Sequence, residues 1–316
     1  MTHHILILDE DAVVYKDAIE RENLGVQVTA ARTSAEAHDA LSSATVLVAL
    51  DPRITAEVIG RAQQLKLVQA LTTGTDAAQR ATAARSDIAL TSVKGIHGEV
   101  MSEFALLQML ALQKGFPTFL KQQSERIWQR NRHGSLSGKT VGILGIGQIS
   151  TTLAERLHAF GMKVVGFSSS TDRPFPEFDR VVYRDELVAE ASALDFLVIL
   201  VPLSDATRNI VSAEVLNAMQ PTAFVINLAR GGVLDEVALK SCLDEGRIAG
   251  AALDVFAEEP LPASNPLWDC PNLLITPHVG ANVDDYAHRA SAVVVENVRR
   301  LVAGASPSDL LNHVRR

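Results

Sequence analysis

VGILGIGQIS, at residues 141–150, is an apolar stretch that leads directly into a G-x-G-x-x-S turn. An amphipathic segment follows at 151–160, so the pattern predicts a strand, a turn and a helix in that order. The first glycine of the turn permits a tight bend, the second lets a pyrophosphate approach the backbone, and the start of the helix faces that negative charge. Ser150 replaces the usual third glycine, but its small side chain still allows close packing, and the arrangement favours dinucleotide binding over a bare structural turn. The predicted contacts in the loop are Gly145, Gly147, Gln148 and Ile149.

The residues after the next predicted strand, 163–167, indicate which dinucleotide is bound. Proteins that bind NAD usually have Asp or Glu at this place to hold the ribose 2′-hydroxyl. This chain has hydroxyl groups and a cation instead, which suit a 2′-phosphate, so NADP(H) is favoured. The alternatives are NAD(H), with Asp172 turned toward the ribose, and a surface loop without selectivity. The predicted contacts here are Ser168, Ser169, Ser170 and Arg173.

Short apolar runs alternate with amphipathic stretches on both sides of this loop, which is the pattern of parallel α/β sheets. The predicted strands are 4–9, 45–50, 65–71, 140–145, 163–167, 196–201, 223–228, 251–256 and 273–277. The first three strands alternate with helical stretches at 12–22, 34–43 and 55–64.

Two long helical stretches, at 99–129 and 284–303, separate the two series of strands. We therefore predict an α/β protein with two doubly wound parallel-sheet domains, in which a Rossmann cofactor domain is inserted into a flavodoxin-like substrate domain. The predicted boundaries are 1–97 with 286–316 for the substrate-binding domain and 98–285 for the dinucleotide-binding domain.

Composition excludes several classes of protein. The chain has 316 residues, enough for two cores, and 47% of them are hydrophobic, too many for a disordered chain. A net charge of −8 argues against a large basic surface for nucleic acid. Two cysteines, Cys242 and Cys270, make no disulfide framework and lack zinc spacing, which predicts a reducing, cytoplasmic setting and no metal. The apolar runs are too short to span a membrane, and the first residues do not resemble a signal peptide.

Polar groups follow three of the predicted strands in the second half of the chain, at the edge where open α/β sheets bind ligands. The three segments are NLARGG (227–232), DVFAEEPLP (254–262) and TPHVG (276–280). Taken singly, Arg230 could be a surface cation and Glu259 a loop carboxylate, and an isolated histidine after a strand, such as His278, is more often structural than catalytic. Their succession behind a dinucleotide motif indicates a catalytic site.

These segments, together with the glycine loop and VPL at 201–203, resemble the D-isomer-specific 2-hydroxyacid dehydrogenase family over essentially the whole chain. The resemblance implies that Arg230 binds the substrate carboxylate and polarises the keto oxygen. It implies that His278 is the acid/base, and that Glu259 orients His278 and favours its protonated form.

The resemblance also implies contacts outside this catalytic group. Asp254 matches a residue near the nicotinamide carboxamide, and Thr73 with Gly74 matches a loop whose amides bind the substrate carboxylate. Without the resemblance, that loop reads as an ordinary glycine turn. Ile96 and His97 match a segment that lines the substrate side-chain pocket, with a plain role at the start of a helix as the alternative. Further cofactor contacts are expected at Val201, Pro202 and Ala229.

The function expected from the resemblance is the reduction of 2-ketoacids to D-2-hydroxyacids by hydride transfer from NAD(P)H. The expected assembly is a homodimer formed mainly through the cofactor domains, with no nucleic-acid or membrane partner. Two alternatives stay open, a dinucleotide-sensing interaction protein similar to known corepressors, and a dehydrogenase of the formate or phosphite type. Turnover of any 2-ketoacid distinguishes the first expectation from both.

Overall fold

The computed structural model describes residues 3–172 and 174–314, and the chain divides into two compact units. The first unit comprises Met1–Ile96 and Val283–Arg316, and the second comprises His97–Asn282. Each unit contains one parallel sheet whose strands are short, apolar and mostly buried on both faces, as expected when helices cover the two sides of a sheet.

The sheet of the first unit has the strand order β2-β1-β3-β4-β5, which is the flavodoxin-like order. Side chains of β1 alternate between two cores, with Leu6 and Leu8 on one face and Ile5 and Ile7 on the other. Its strands are β1 (His4–Leu8), β2 (Gln27–Ala31), β3 (Val46–Ala49), β4 (Leu67–Ala70) and β5 (Ala89–Thr91).

The sheet of the second unit has the order β12-β11-β10-β9-β6-β7-β8, which is the Rossmann order extended by one strand. The order reverses between β9 and β6, and the glycine loop follows β6 at this switch point. The strands are β6 (Thr140–Leu144), β7 (Lys163–Ser168), β8 (Arg180–Tyr183), β9 (Phe196–Ile199), β10 (Phe224–Asn227), β11 (Gly250–Leu253) and β12 (Leu273–Ile275).

The helices connect these strands and cover the sheets. They are α1 (Ala12–Glu20), α2 (His38–Ser43), α3 (Ala56–Arg61), α4 (Asp76–Thr82), α5 (Gly98–Gln113), α6 (Phe116–Glu125), α7 (Gln148–Ala159), α8 (Leu187–Glu190), α9 (Ala213–Ala218), α10 (Glu236–Asp244) and α11 (Tyr286–Val302). Within the first unit α1 packs on α11, and within the second α5 packs on α7.

The predicted fold class is confirmed, but four local features differ from the sequence prediction. Strands β2, β5 and β8 were not predicted; each lies at the edge of its sheet, and β2 and β8 are largely half-exposed. The single helix predicted at 99–129 is two helices, α5 and α6. The break occurs at Gly115, whose φ of 64° is left-handed. Helix α6 ends at Glu125, directly before Arg126, which is also left-handed with φ 58°.

Across 3–172 and 174–314, no helix is both long and apolar enough to span a bilayer. In the same ranges, no cluster of three or more His, Cys, Asp or Glu side chains is arranged to hold a metal ion. Both cysteines are free and buried.

Candidate active site

Three neighbouring strands of the second unit, β10, β11 and β12, carry the loops that hold Arg230, Glu259 and His278. The strands are parallel and paired in the order β10–β11–β12, so their carboxyl ends lie at one edge of the sheet. The structure therefore brings the three predicted catalytic residues to the same edge. We call this region the catalytic edge.

Arg230 is held by a buried asparagine at the end of β10. Asn227 has no exposed surface; its side-chain oxygen accepts from the amide of Ala229 at 3.1 Å, and its Nδ2 donates to the carbonyl of Arg230 at 2.9 Å. The Nη1 of Arg230 donates to the carbonyl of Ala229 at 2.7 Å. The side chain of Asn227 thus fixes the backbone from the amide of Ala229 to the carbonyl of Arg230, while Arg230 itself is only half-buried.

Gly231 explains why two of these loops lie against each other. A Cβ at this position would lie 1.8 Å from the carbonyl carbon of Phe256 and 2.0 Å from the amide nitrogen of Ala257. Any side chain here would force the backbones apart, so glycine is required by close approach rather than by its own backbone angles. The arginine loop and the loop after β11 are therefore in direct backbone contact.

Glu259 and His278 form a close pair. Nδ1 of His278 lies 2.7 Å from Oε2 of Glu259, and the other carboxylate oxygen accepts from the amide of Phe256 at 2.9 Å. The side chains are 49% and 35% exposed for His278 and Glu259 respectively, so the pair is reachable from solvent. A carboxylate on Nδ1 fixes the ring orientation and makes Nε2 the nitrogen available for proton transfer.

Asp254 holds the loop that carries His278. Its carboxylate is buried, with 1% of the residue exposed, and one oxygen accepts from the hydroxyl of Thr276 at 2.6 Å and the amide of Val279 at 3.0 Å. The second oxygen accepts from the amide of Gly280 at 2.9 Å. His278 itself has a left-handed φ of 53°, a strained conformation for a side-chain-bearing residue that these hydrogen bonds maintain. Asp254, predicted as a nicotinamide contact, is thus engaged with the histidine loop.

The glycine loop fits a dinucleotide phosphate. Gly145 has φ 102°, and a Cβ there would lie 2.8 Å from the side chain of Val201. Gly147 is exposed and a Cβ there would meet nothing within 4 Å, so its backbone is open to an approaching group. Ser150 is buried; its hydroxyl accepts from the amide of Gly147 at 2.6 Å and donates to the carbonyl of Gly147 at 2.7 Å. Serine thus closes the loop at the third conserved position of the motif, within the first turn of the twelve-residue helix α7.

The other predicted cofactor contacts lie around this loop. Val201 follows β9 and touches Gly145, and the carbonyl of Pro202 accepts from the hydroxyl of Thr207 at 2.6 Å. Ala229 is buried in the arginine loop. Gln148 and Ile149 form the first turn of α7, where Gln148 is exposed and Ile149 half-buried.

The last residue of β7 and the segment after it, together residues 168–172, are held by their own side chains. The hydroxyl of Ser168 accepts from the amide of Ser170 at 3.2 Å, and the hydroxyl of Ser170 donates to the carboxylate of Asp172 at 2.8 Å. Ser169 is exposed. Arg173, the predicted cation of this segment, lies outside the described residues.

Three of the predicted substrate contacts belong to the first unit. Thr73 and Gly74 lie between β4 and α4, in a turn where the hydroxyl of Thr72 donates to the carbonyl of Gly74 at 2.6 Å. Asp51 stabilises the start of α4 by accepting from two of its amides, at 2.9 and 2.8 Å. Ile96 is half-buried and packs in the core of this unit.

His97, the fourth predicted substrate contact, precedes α5 at the start of the second unit. Only 7% of it is exposed, and burial lowers the pKa of its imidazole to about 4. The side chain is therefore neutral at pH 7.

Glu236 is a residue of this region that the sequence analysis did not single out. It is the first residue of α10, and its Oε1 accepts from the amide of Ala257 at 2.6 Å, in the loop that carries Glu259. The only feature of the sequence that could have indicated Glu236 is that this carboxylate follows a few residues after the NLARGG segment.

Residues 106–280 match the family model described as D-isomer specific 2-hydroxyacid dehydrogenase, NAD binding domain. The chain is 31% identical over 313 residues to D-3-phosphoglycerate dehydrogenase of Methanocaldococcus jannaschii, covering 98% of this chain and 59% of that protein. The chain therefore spans less than two thirds of the length of this relative.

Two solved structures are similar over nearly the full chain. A D-isomer specific 2-hydroxyacid dehydrogenase family protein from Aeromonas salmonicida has a TM-score of 0.91 at 30% identity, covering 100% of this chain and 99% of that one. An NADPH-dependent glyoxylate/hydroxypyruvate reductase from Sinorhizobium meliloti, in complex with NADP and sulfate, has a TM-score of 0.84 at 28% identity, covering 99% and 98% of the two chains.

Proposed function

The chain belongs to the D-isomer-specific 2-hydroxyacid dehydrogenase family, and we propose that it reduces 2-ketoacids to D-2-hydroxyacids with NAD(P)H. The observation that carries the proposal is the 2.7 Å contact between His278 and Glu259, on the same sheet edge as Arg230. A solvent-accessible histidine with a carboxylate on one ring nitrogen is equipped to give a proton to an oxygen that gains negative charge.

Each catalytic side chain has one part in the proposed reaction. The guanidinium of Arg230 binds the substrate carboxylate and polarises the keto oxygen, for which its planar array of donors is suited. When bound, a reduced nicotinamide supplies a hydride to the carbonyl carbon. As the carbonyl π bond breaks, Nε2 of His278 gives its proton to the keto oxygen, and Glu259 stabilises the imidazolium before this transfer.

The substrate contacts proposed outside the catalytic edge keep the roles that the resemblance implies. The amides of Thr73 and Gly74 bind the substrate carboxylate, and Ile96 lines the side-chain pocket. His97 is neutral at pH 7, so its proposed part is to shape this pocket rather than to attract charge.

The experiment that tests this function measures the loss of absorbance at 340 nm with a panel of 2-ketoacids. The panel contains glyoxylate, hydroxypyruvate, pyruvate, phenylpyruvate and a branched 2-ketoacid, each assayed with NADPH and with NADH. We expect turnover of at least one substrate. Confirmed cofactor binding without turnover of any of them would contradict the proposal and favour a dinucleotide-sensing protein.

We further propose that NADPH is preferred to NADH. The support is the run of hydroxyls at Ser168, Ser169 and Ser170, together with the engagement of the Asp172 carboxylate by Ser170. Arg173 is proposed to meet the 2′-phosphate. The expected kcat/KM ratio is about tenfold in favour of NADPH, equivalent to about 1.4 kcal/mol. Arg173→Ala lowers this ratio while the NADH reaction is unchanged; equal efficiency of the two cofactors in the wild type would contradict the preference.

A homodimer formed through the cofactor domain completes the proposal. Large apolar side chains are exposed on α6 and just after it, among them Trp128, which is 95% exposed. Exposed apolar groups that lie close together commonly mark protein interfaces. We expect twice the chain mass of 34.0 kDa at micromolar concentration and a shift toward monomer in Trp128→Glu. Val13→Glu, which changes an exposed apolar residue of α1, is the control. A monomeric wild type would contradict the homodimer.

The cytoplasmic location remains part of the same proposal. It is supported by the cysteine usage, because both thiols are free and buried.

A further inference from the structure

Glu236 connects the start of α10 to the loop that carries Glu259. Asp235 caps the helix by accepting from the amide of Ala238 at 2.9 Å, which fixes the backbone from which the Glu236 side chain extends. The Oε1 of Glu236 then accepts from the amide of Ala257 at 2.6 Å. This hydrogen bond lies beside the backbone contact of Gly231 with Phe256 and Ala257.

Two carboxylates thus accept from two consecutive amides of one loop. Glu259 accepts from the amide of Phe256 through Oε1, and Glu236 accepts from the amide of the next residue, Ala257. The second oxygen of Glu259 meets Nδ1 of His278. The position of Glu259 therefore depends on the conformation of residues 256–259. Glu236 stabilises that conformation through its hydrogen bond with the amide of Ala257.

The surroundings of Glu236 disfavour its charged form. Burial raises the pKa of its carboxyl, the amide of Ala257 lowers it, and the charge of Glu259 raises it. A half-buried carboxylate near a second carboxylate is unfavourable unless a hydrogen bond compensates. In this structure the compensating group is the amide of the loop that carries Glu259.

We propose that Glu236 is a positioning residue for the proposed reaction, which holds the 256–259 loop so that Glu259 stays on Nδ1 of His278. It does so through the amide of Ala257, without contact with substrate. This inference rests on the proposed function of the His278–Glu259 pair.

The test compares three variants of the full-length protein. Glu236→Ala removes the acceptor, and Glu236→Gln keeps an oxygen acceptor without the charge. Glu258→Ala removes an exposed carboxylate from the same loop and is the matched control. The first readout needs no turnover: it is the ring ¹⁵N spectrum of His278 in protein labelled with ¹⁵N-histidine, assigned by its loss in His278→Gln.

We expect the Nδ1 resonance of His278 to move in Glu236→Ala in the same direction as in Glu259→Gln. Glu236→Gln should restore most of the wild-type position, and Glu258→Ala should leave it unchanged. If the alanine variant does not fold, Glu236→Asp replaces it. Its side chain is one methylene shorter, so it keeps the charge but is too short to accept from the amide of Ala257. An unmoved resonance in the folded Ala or Asp variant, or an equal movement in Glu258→Ala, would overturn the proposal.

The second readout is kinetic and uses a 2-ketoacid that the wild type reduces. We expect kcat to fall about tenfold in Glu236→Ala, a part of the 10²–10⁴ that a general acid supplies, with KM and cofactor Kd nearly unchanged. We expect Glu236→Gln to retain most of the wild-type kcat. A wild type without turnover would contradict the proposed function, whereas the ¹⁵N readout would still decide whether Glu236 positions the pair.

Discussion

The catalytic edge contains His278 and the turn before α5 contains His97, each within two residues of a glycine. The structure gives these two histidines opposite environments. His278 is 49% exposed on its side chain and pairs with Glu259 at 2.7 Å. His97 is 7% exposed, and burial lowers its pKa to about 4. The His278 ring is accessible and contacts a carboxylate, while burial holds the His97 ring neutral at pH 7.

A histidine serves as a proton donor because of its surroundings rather than its place in a motif. Protonated imidazole is stabilised by a nearby carboxylate and destabilised by removal from water. Both residues were predicted as site residues from the resemblance. Of the two, only His278 is accessible to solvent and contacts a carboxylate, so we expect changes at the catalytic edge to affect turnover far more than changes at the turn before α5.

The largest effect is expected for Arg230→Gln at the catalytic edge. Glutamine has neither the charge nor the paired donors of the guanidinium, so both carboxylate binding and polarisation of the keto oxygen are lost. We expect kcat/KM for a 2-ketoacid to fall about a thousandfold, comparable to the loss of a preorganised donor to a developing oxyanion. Arg184→Gln, at the far edge of the sheet, is the control. Wild-type kcat/KM in Arg230→Gln would contradict the proposed catalytic role of Arg230.

A smaller loss is expected for Asp254→Ala. In this variant the amides of Val279 and Gly280 lose the carboxylate that now accepts their hydrogen bonds. The left-handed conformation of His278 is then no longer stabilised by these bonds. We expect kcat to fall about a hundredfold, within the contribution of a general acid, and the melting temperature to fall as well. Asp269→Ala is a surface control. If only the cofactor Kd changed, Asp254 would be a cofactor contact and not a support of the histidine loop.

The smallest effect on turnover is expected at His97. We expect His97→Gln to change kcat by less than about threefold, since a neutral buried ring takes no part in proton transfer. A loss of kcat as large as that of Asp254→Ala would show that His97 takes part in the reaction and would contradict its proposed role in shaping the pocket.

His97 should instead affect stability at low pH. Its folded pKa of about 4 lies below the ordinary 6.5, so between these values the unfolded chain binds more protons than the folded one. Stability is therefore retained above pH 6.5 and lost as the pH falls toward 4, by up to about 3 kcal/mol. Thermal unfolding of the wild type and His97→Gln from pH 7 to 4 measures this. A wild-type melting temperature that falls no more steeply than that of the variant would contradict the assignment.

The fold class was predictable because buried parallel strands leave a clear apolar pattern. The three missed strands are edge strands, and β2 and β8 have too few buried side chains to show that pattern. The break of the predicted long helix at Gly115 depends on a left-handed conformation, which a single glycine permits but does not require. Such local choices are made by tertiary packing and are not visible in periodicity.

The candidate site was predictable to the extent that motifs name its side chains. Arg230, Glu259 and His278 were found because each follows a strand, and the parallel order of the strands then places them together. The contribution of Glu236 was not predictable, because it depends on an amide that lies twenty-one residues away in sequence. The hydrogen bonds of Asp254 to the histidine loop were likewise hidden, since they depend on the conformation of the chain at 276–280.

The proposed role of His278 as the proton donor is tested most directly by single-turnover reduction of a 2-ketoacid in His278→Ala, in His97→Gln and in the wild type. Excess enzyme with bound reduced cofactor is mixed with substrate, and cofactor Kd is measured separately. We expect His278→Ala to slow the reaction by about 10²–10⁴ with cofactor binding intact, and His97→Gln to react at nearly the wild-type rate. Reduction at the wild-type rate in His278→Ala would contradict a general-acid role for His278.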